Sequence, residues 1–319
     1  MKKITSETDS LKDQTSPQVM FVMGLQITHL GSGSRGNSTL LESDDCKVLI
    51  DCGFSLKQIE KRLSRAEVDP GLIDAIFVTH HHGDHSKSAL MASKKWGSRL
   101  YCNIETAMKM GWNPISDCRT FGSLERVEVR NEISVLPIPI PHDDAENIAL
   151  IVSNGDGNRA GFVTDLGEAT VELKRHLRGC THISIEANYD HSKLMQGPYP
   201  DSLKRRISGR GGHLSNSQTA EILKEIMNPG LKSIVLCHLS DKNNDTIVMQ
   251  TSSIQQKGIS DLIEKLDHMA INKERNILRI KERLLSRWDY KLLSNSSLGD
   301  ILLDLESGVI NLDEAIELL

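Results

Sequence analysis

The densest run of reactive side chains in this 319-residue chain is His80-His81-His82-Gly83-Asp84-His85, directly after the apolar stretch 73–79. One register alone reads H-x-H-x-D-H: His80, His82, Asp84 and His85, with His81 as spacer. Alternate residues of an extended segment point the same way, so His80 and His82 can reach one metal ion. A turn at Gly83 would let Asp84 and His85 face a second. Imidazole and carboxylate without thiolate suit Zn²⁺ or Mn²⁺ and argue against a sulfur-rich structural site.

A dinuclear site needs more ligands, and strand ends are where to look. His142 follows the run 133–141, Asp165 closes the run 160–164, and His238 closes Ser233–Cys237. An aspartate closing an apolar strand is poorly placed for core packing and well placed to bridge two cations. Asp143, beside His142, is a candidate partner for a liganding imidazole. His213 lies in a Gly-rich turn before a capped helix, where it could bind a phosphate or protonate a leaving group. Lys204, Arg205, Arg206 and Arg210 form the densest basic cluster of this part of the chain. They read either as a track for a polyanion or as a solvated helix face. Ser215 reads first as a helix cap.

The elements that must hold these residues are legible as short apolar runs between helical patterns. Strands are expected at 25–30, 38–42, 47–51, 73–79, 99–102, 133–138, 148–153, 160–164, 182–187 and 233–237. Helices are expected at 56–65, 86–96, 171–177 and 217–227, with S-x-x-Q capping boxes at Ser55 and Ser215. Many strands with interspersed helices and no strict βαβ rhythm predict an α/β fold, two mixed sheets with helices outside. Residues 1–24 read as a polar, disordered lead-in and 25–250 as the catalytic domain. Residues 251–319 read as a helical C-terminal extension. Within it, 257–291 carry nine Lys/Arg against six Asp/Glu, and 292–319 carry none against six. The extension either packs on the main domain or docks a partner or a second copy.

Composition narrows the class. A net charge of −5 excludes a protein that holds nucleic acid through its overall field, but not one with a local basic groove. Aromatic residues at 4% speak against a binder built on rows of stacking platforms. No apolar run approaches the roughly 20 residues needed to cross a bilayer, so no membrane association is expected. The six cysteines form no C-x-x-C pair, and several lie in apolar runs. That pattern suits buried, reduced thiols in a cytoplasmic protein.

The order H-x-H-x-D-H, H, D, H over residues 25–240 resembles the metallo-β-lactamase-fold hydrolases. Five further motifs are similar to the WalJ/YycJ (VicX) subfamily. They are the loop from Leu30 to Ser38, Ile185-Glu186-Ala187-Asn188, Gly197-Pro198-Tyr199-Pro200 with Lys204-Arg205-Arg206, Gly212-His213-Leu214-Ser215-Asn216, and His238-Leu239-Ser240 with Asn243-Asn244. The resemblance implies an αββα metallo-β-lactamase sandwich with two divalent ions at one edge of its sheets. His80, His82 and His142 would hold one ion, Asp84, His85 and His238 the other, and Asp165 would bridge. It also implies a metal-dependent phosphodiesterase or nuclease acting on DNA, most simply a 5′→3′ exonuclease. Asp84 and His213 would be catalytic, and Ser34, Asn37, Arg206, Ser215 and Asn216 would touch substrate.

Two ions roughly 3.5–4 Å apart lower the pKa of a water and clamp a phosphoryl group. They would also offset most of the −5 charge. Other readings are a phosphodiesterase on cyclic or small nucleotides, a glyoxalase-type thioester hydrolase, and a pseudoenzyme that binds a regulatory partner. The motifs at 197–200 and 212–216 favour the nuclease subfamily over the thioesterase. The interval from Asp165 to His238 is too short for the clamping domain that some RNA-processing relatives insert there.

Overall fold

A computed structural model describes residues 18–22, 24–143, 145–244 and 253–255. The chain starts as an antiparallel meander of β1 (Gln18–Val22), β2 (Leu25–Gly31), β3 (Ser38–Glu42) and β4 (Lys47–Ile50). Parallel strands β5 (Ala75–Phe77), β6 (Arg99–Asn103) and β7 (Arg119–Phe121) continue the sheet. Their crossovers contain α1 (Leu56–Arg65), α2 (Gly83–Ser86), α3 (Ala89–Trp96) and α4 (Ile104–Met110). A second sheet follows the same plan. β8 (Val127–Val129), β9 (Ile133–His142), β10 (Ala145–Asn154) and β11 (Arg159–Val163) run antiparallel, then β12 (His182–Glu186) and β13 (Ser233–Cys237) run parallel. β14 (Ser253–Gln255) closes it antiparallel to β13. Between these strands lie α5 (Val171–Leu177), α6 (His191–Gln196), α7 (Asp201–Ser208) and α8 (Asn216–Ile226). Among the described residues each sheet has seven strands.

The core has three apolar layers, one between the sheets and one outside each. Ile27, Leu41 and Phe77 of the first sheet meet Ile133, Leu150 and Phe162 of the second. Outside the first sheet, α1 buries Ile59 and Leu63, four residues apart on one face, against Leu49 and Ile76. Outside the second, α8 buries Ala220, Leu223 and Ile226 against Ile183 and Ile234. Each fully buried aliphatic side chain contributes about 1.5–3 kcal/mol. The result is the expected αββα sandwich. β12 and β13 are buried along their whole length, as parallel strands covered on both faces must be.

That topology decides where the chemistry sits. β4, β5, β11, β12 and β13 run parallel within their sheets, and open α/β sheets bind ligands beyond the carboxyl ends of such strands. Asp51, His80, Asp165 and His238 all follow those ends, and Glu186 is the last residue of β12.

Several expectations change. Residues 18–22, read as part of a disordered lead-in, form β1, paired with β2 from Gln18↔His29 to Val22↔Leu25. The second sheet reaches Ser253–Gln255, past the expected domain boundary at 250. The rest of the helical extension read over 251–319 lies outside the described residues. The helix expected over 86–96 splits into α2 and α3, because Ser88 donates its backbone N–H to Cys52 O at 3.0 Å. Gly83 makes no tight turn: it opens α2. The indispensable glycine is Gly53, where a Cβ would land 1.7 Å from Asp84 O. No helix among the described residues is long and apolar enough to cross a membrane. All six cysteines are buried and free of disulfides, and burial pushes Cys46, Cys52 and Cys180 up to about 12.

Between the sheets lies a polar chain that the sequence reading did not pick out. His29 Nδ1 contacts Thr39 Oγ1 at 3.0 Å, and its Nε2 contacts Ser184 Oγ at 3.1 Å. Ser184 in turn meets His182 Nε2 at 2.9 Å, and His182 Nδ1 meets Ser233 Oγ at 2.6 Å. Burial lowers His182 from 6.5 to about 3, with His29 adding to the effect. The unfolded chain therefore takes up this proton more readily. The stability His182 contributes is complete above pH 6.5 and drains away as pH falls toward 3. By pH 4.5 the loss is on the order of 2–3 kcal/mol. Urea midpoints of chelated protein should fall accordingly between pH 7 and 4.5, and His182→Gln should flatten the fall. An equal slope in the variant would refute the assignment.

Candidate metal centre

Donor atoms from both halves of the chain converge at the strand ends. His80, His82 and His142 form one group whose ligand atoms lie within 4.8 Å of one another, and Asp84, His85 and His238 form another. His80 Nε2 stands 3.0 Å from His82 Nδ1. Asp84 Oδ2 is 3.7 Å from His85 Nε2 and 3.6 Å from His238 Nε2. Asp165 lies among them, with Oδ2 at 2.9 Å from His85 Nε2 and Oδ1 at 3.8 Å from His142 Nε2 and 3.5 Å from His238 Nδ1.

A layer of oxygens aims the imidazoles. Asp51 Oδ2 meets His85 Nδ1 at 2.7 Å, and Gly212 O meets His142 Nδ1 at 3.0 Å. Asp143 Oδ2 lies 3.2 Å from His82 Nε2 and accepts from Arg206 Nη2 at 2.8 Å. Glu186 Oε1 takes His213 Nδ1 at 2.8 Å and His238 Nδ1 at 2.7 Å, while its Oε2 accepts from the Leu166 and Leu214 N–H groups. Such outer oxygens fix the tautomer and leave the other ring nitrogen to face an ion. Asp51, Asp143, Asp165 and His238 all hold positive φ, at 61, 47, 58 and 51°. Aspartate and histidine enter this region more readily than most non-glycine residues, though it is uncommon for either. Such strain costs about 1–3 kcal/mol per residue and concentrates at functional sites.

The charge balance points to cations. Asp51, Asp165 and Glu186 are buried carboxylates, Asp51 against one imidazole and the other two each against more than one. Burial alone would lower His85, yet Asp51 and Asp165 raise it to about 10. His238 is likewise held well above 6.5 against its burial, by the carboxylates of Asp165, Asp84 and Glu186. Burial pushes His80 well down and His82 down as well. Burial would raise Asp165, but His238 and His85 hold it well below the usual carboxylate range. His142 Nε2 and His238 Nε2 are buried and make no hydrogen bond. Buried charge is tolerated when paired or when it coordinates metal, and this donor set fits divalent ions with N and O ligands.

A sequence profile described as the beta-lactamase superfamily domain matches residues 47–239. The chain belongs to the metallo-β-lactamase superfamily. It is 31% identical over 230 residues to the exodeoxyribonuclease YycJ of Bacillus anthracis, covering 70% of this chain and 85% of that protein. To the exodeoxyribonuclease WalJ of Streptococcus pneumoniae it is 29% identical over 253 residues, covering 76% and 92%. The metallo-β-lactamase-fold protein YhfI of Bacillus subtilis superposes with a TM-score of 0.54 at 15% identity, over 76% of this chain and 92% of the other. The protein is a metal-dependent hydrolase of this superfamily, in its WalJ/YycJ branch.

Within this metallo-β-lactamase scaffold the donors open into a cleft of about 270 Å³, lined among others by Asp84, His142, Asp165, His213 and His238. Ser34 and Arg206 line it too. Three residues expected at the substrate do not. Asn37 is buried; its Oδ1 accepts from Gly33 N at 2.8 Å, and its Nδ2 lies 3.3 Å from Asp84 O and 2.9 Å from His85 Nε2. It ties the glycine loop to the ligand turn and is a positioning residue. Ser215 caps α8, its backbone N–H donating to Gln218 Oε1 at 2.9 Å. Asn216 is buried and donates to Asn244 Oδ1 at 2.9 Å.

The basic cluster is also largely engaged, with Arg206 on Asp143, Arg210 on Glu168 and Lys204 Nζ on Met195 O. Asp143 proves to face His82 more closely than its neighbour His142, whose Nε2 is 3.9 Å away. Asp51 and Glu186 were missed as functional residues, although both close apolar strands as Asp165 does.

Proposed function

We propose that the protein hydrolyses phosphodiester bonds of DNA as an exonuclease of 5′→3′ polarity, using two Zn²⁺ or Mn²⁺ ions. The observation that carries this reading is the sharing of one cleft by two ligand groups, Asp165 between them, and His213. The names of the YycJ and WalJ relatives support DNA as the polymer. The six buried free thiols suit the cytoplasm.

His80, His82 and His142 would hold one ion and Asp84, His85 and His238 the other, with Asp165 between. Bound there, the ions would supply an activated water and neutralise charge on the phosphoryl oxygens. Asp84, partly exposed to the cleft, accepts a hydrogen bond from the attacking water and orients it. His213 supplies the proton for the leaving oxygen. Burial opposes its protonation, but Glu186 raises its pKa, and the grip on Nδ1 leaves Nε2 for the substrate.

The test is a panel of 5′-labelled linear duplex DNA, single-stranded DNA, RNA, cyclic nucleotides and a thioester, each with Mn²⁺ and with Zn²⁺. Mononucleotides released progressively from the 5′ end of DNA are expected. Faster turnover of a cyclic nucleotide or the thioester would overturn the reading, and release from the 3′ end would reverse its polarity.

A further inference from the structure

The motif Gly197-Pro198-Tyr199-Pro200 has no part in the chemistry above, yet Tyr199 lines the same cleft as the metal donors. It is the one Phe, Tyr or Trp ring doing so among the described residues. Its backbone is unusually constrained. Pro198 and Pro200 fix φ on either side, and Pro200 is the N-cap of α7. At Gly197 a Cβ would come within 2.8 Å of Lys193 O and 3.3 Å of Asn243 Oδ1, so the turn is packed tightly onto α6 and the loop after β13.

The ring is only half-buried, and Lys242 Nζ stands 5.6 Å from its centroid without lining the cleft. α7 supports the same surface. It has no fully buried residue, yet Leu203 and Ile207, four apart on one helix face, both line the cleft, as does Leu239. An apolar helix face that joins no core cluster among the described residues but edges a metal-binding cleft is placed for a ligand.

We propose that Tyr199, backed by Leu203, Ile207 and Leu239, is the seat on which the nucleobase adjoining the scissile phosphate stacks. This inference rests on the phosphodiesterase reading above. The cleft is about 270 Å³, near the lower limit of small-ligand pockets, and accommodates one nucleotide rather than a duplex. One rigid ring suffices for one base, which reconciles a 4% aromatic content with nucleic-acid chemistry. Stacking reads no base edge, so the seat selects a nucleotide end without selecting sequence.

The experiment uses the full chain loaded with Mn²⁺ and single-stranded oligonucleotides with a normal nucleoside or an abasic tetrahydrofuran residue at the end being removed. Removing the terminal base should lower kcat/KM of the unmodified protein by roughly 5- to 150-fold. Tyr199→Ala should show a similar loss on the normal end and little further loss on the abasic end. Tyr199→Phe should restore the discrimination. Equal rates of the unmodified protein on both ends, which need no variant, would overturn the proposal. So would a Tyr199→Ala defect of the same size on both. Hydrolysis of bis(p-nitrophenyl) phosphate without cleavage of any oligonucleotide would instead sink the nuclease reading, and the base seat with it.

Discussion

Asp165→Asn should fold, bind at most one divalent ion per chain, and lose hydrolysis by on the order of 10³-fold or more. Asparagine is the right replacement because Asp165 holds φ 58°, a conformation it shares with aspartate at little cost. The backbone oxygen also keeps its hydrogen bond from Asn147 Nδ2 at 2.6 Å. What disappears is the charge. Asp165 is the carboxylate that lies among His85, His142 and His238 at once, and a neutral amide cannot offset two cations there. Metal content after dialysis and thermal melting with and without metal read this independently of activity. Saturating an ion site at a hundred times its Kd stabilises a fold by about 2.7 kcal/mol, so the variant should lose roughly one site's share of the metal-induced shift. Two tightly held ions with retained turnover would remove Asp165 from the centre of the site.

The candidate donors were legible because His142, Asp165 and His238 each close an apolar run and the other four crowd into six positions. Strand ends in a parallel sheet face one edge, so residues far apart in sequence could be assigned to one site before any geometry was known. Edges and short elements were not legible. β7 and β8 have three residues each, too few for an alternation to register, and α7 has no buried residue to set a period.

The rest of the supporting shell was hidden for a different reason. Glu186 acts on residues 27 and 52 positions away, and Asp143, legible as an imidazole's partner, is matched to His82 and Arg206 by the fold. Motif membership assigned Asn37, Ser215 and Asn216 to the substrate, but could not say which way their side chains turn. All three turn inward and hold backbone, helix end or neighbouring amide.

Glu186→Gln should separate metal retention from proton delivery when set beside His213→Ala. The carboxylate is used at both oxygens, Oε1 by two imidazole Nδ1 atoms and Oε2 by the Leu166 and Leu214 N–H groups at 3.1 and 3.2 Å. A glutamine offers one acceptor oxygen and one NH₂. Whichever way it turns, donor meets donor on one side, leaving buried groups unpaired at a cost of about 1–3 kcal/mol. If it turns its oxygen to the backbone, both His238 and His213 lose their alignment together. The expected result is a loss of roughly 10- to 100-fold in affinity for the ion beside His238, with kcat lowered as well. His213→Ala removes one proton donor and leaves the Glu186–His238 contact in place. It should keep both ions and lower kcat by roughly 10²- to 10⁴-fold. Loss of metal from His213→Ala would move that residue into the ligand set, where its Nδ1 lies 3.6 Å from Asp165 Oδ1. Full metal retention in Glu186→Gln would show that His238 is held by its strand alone.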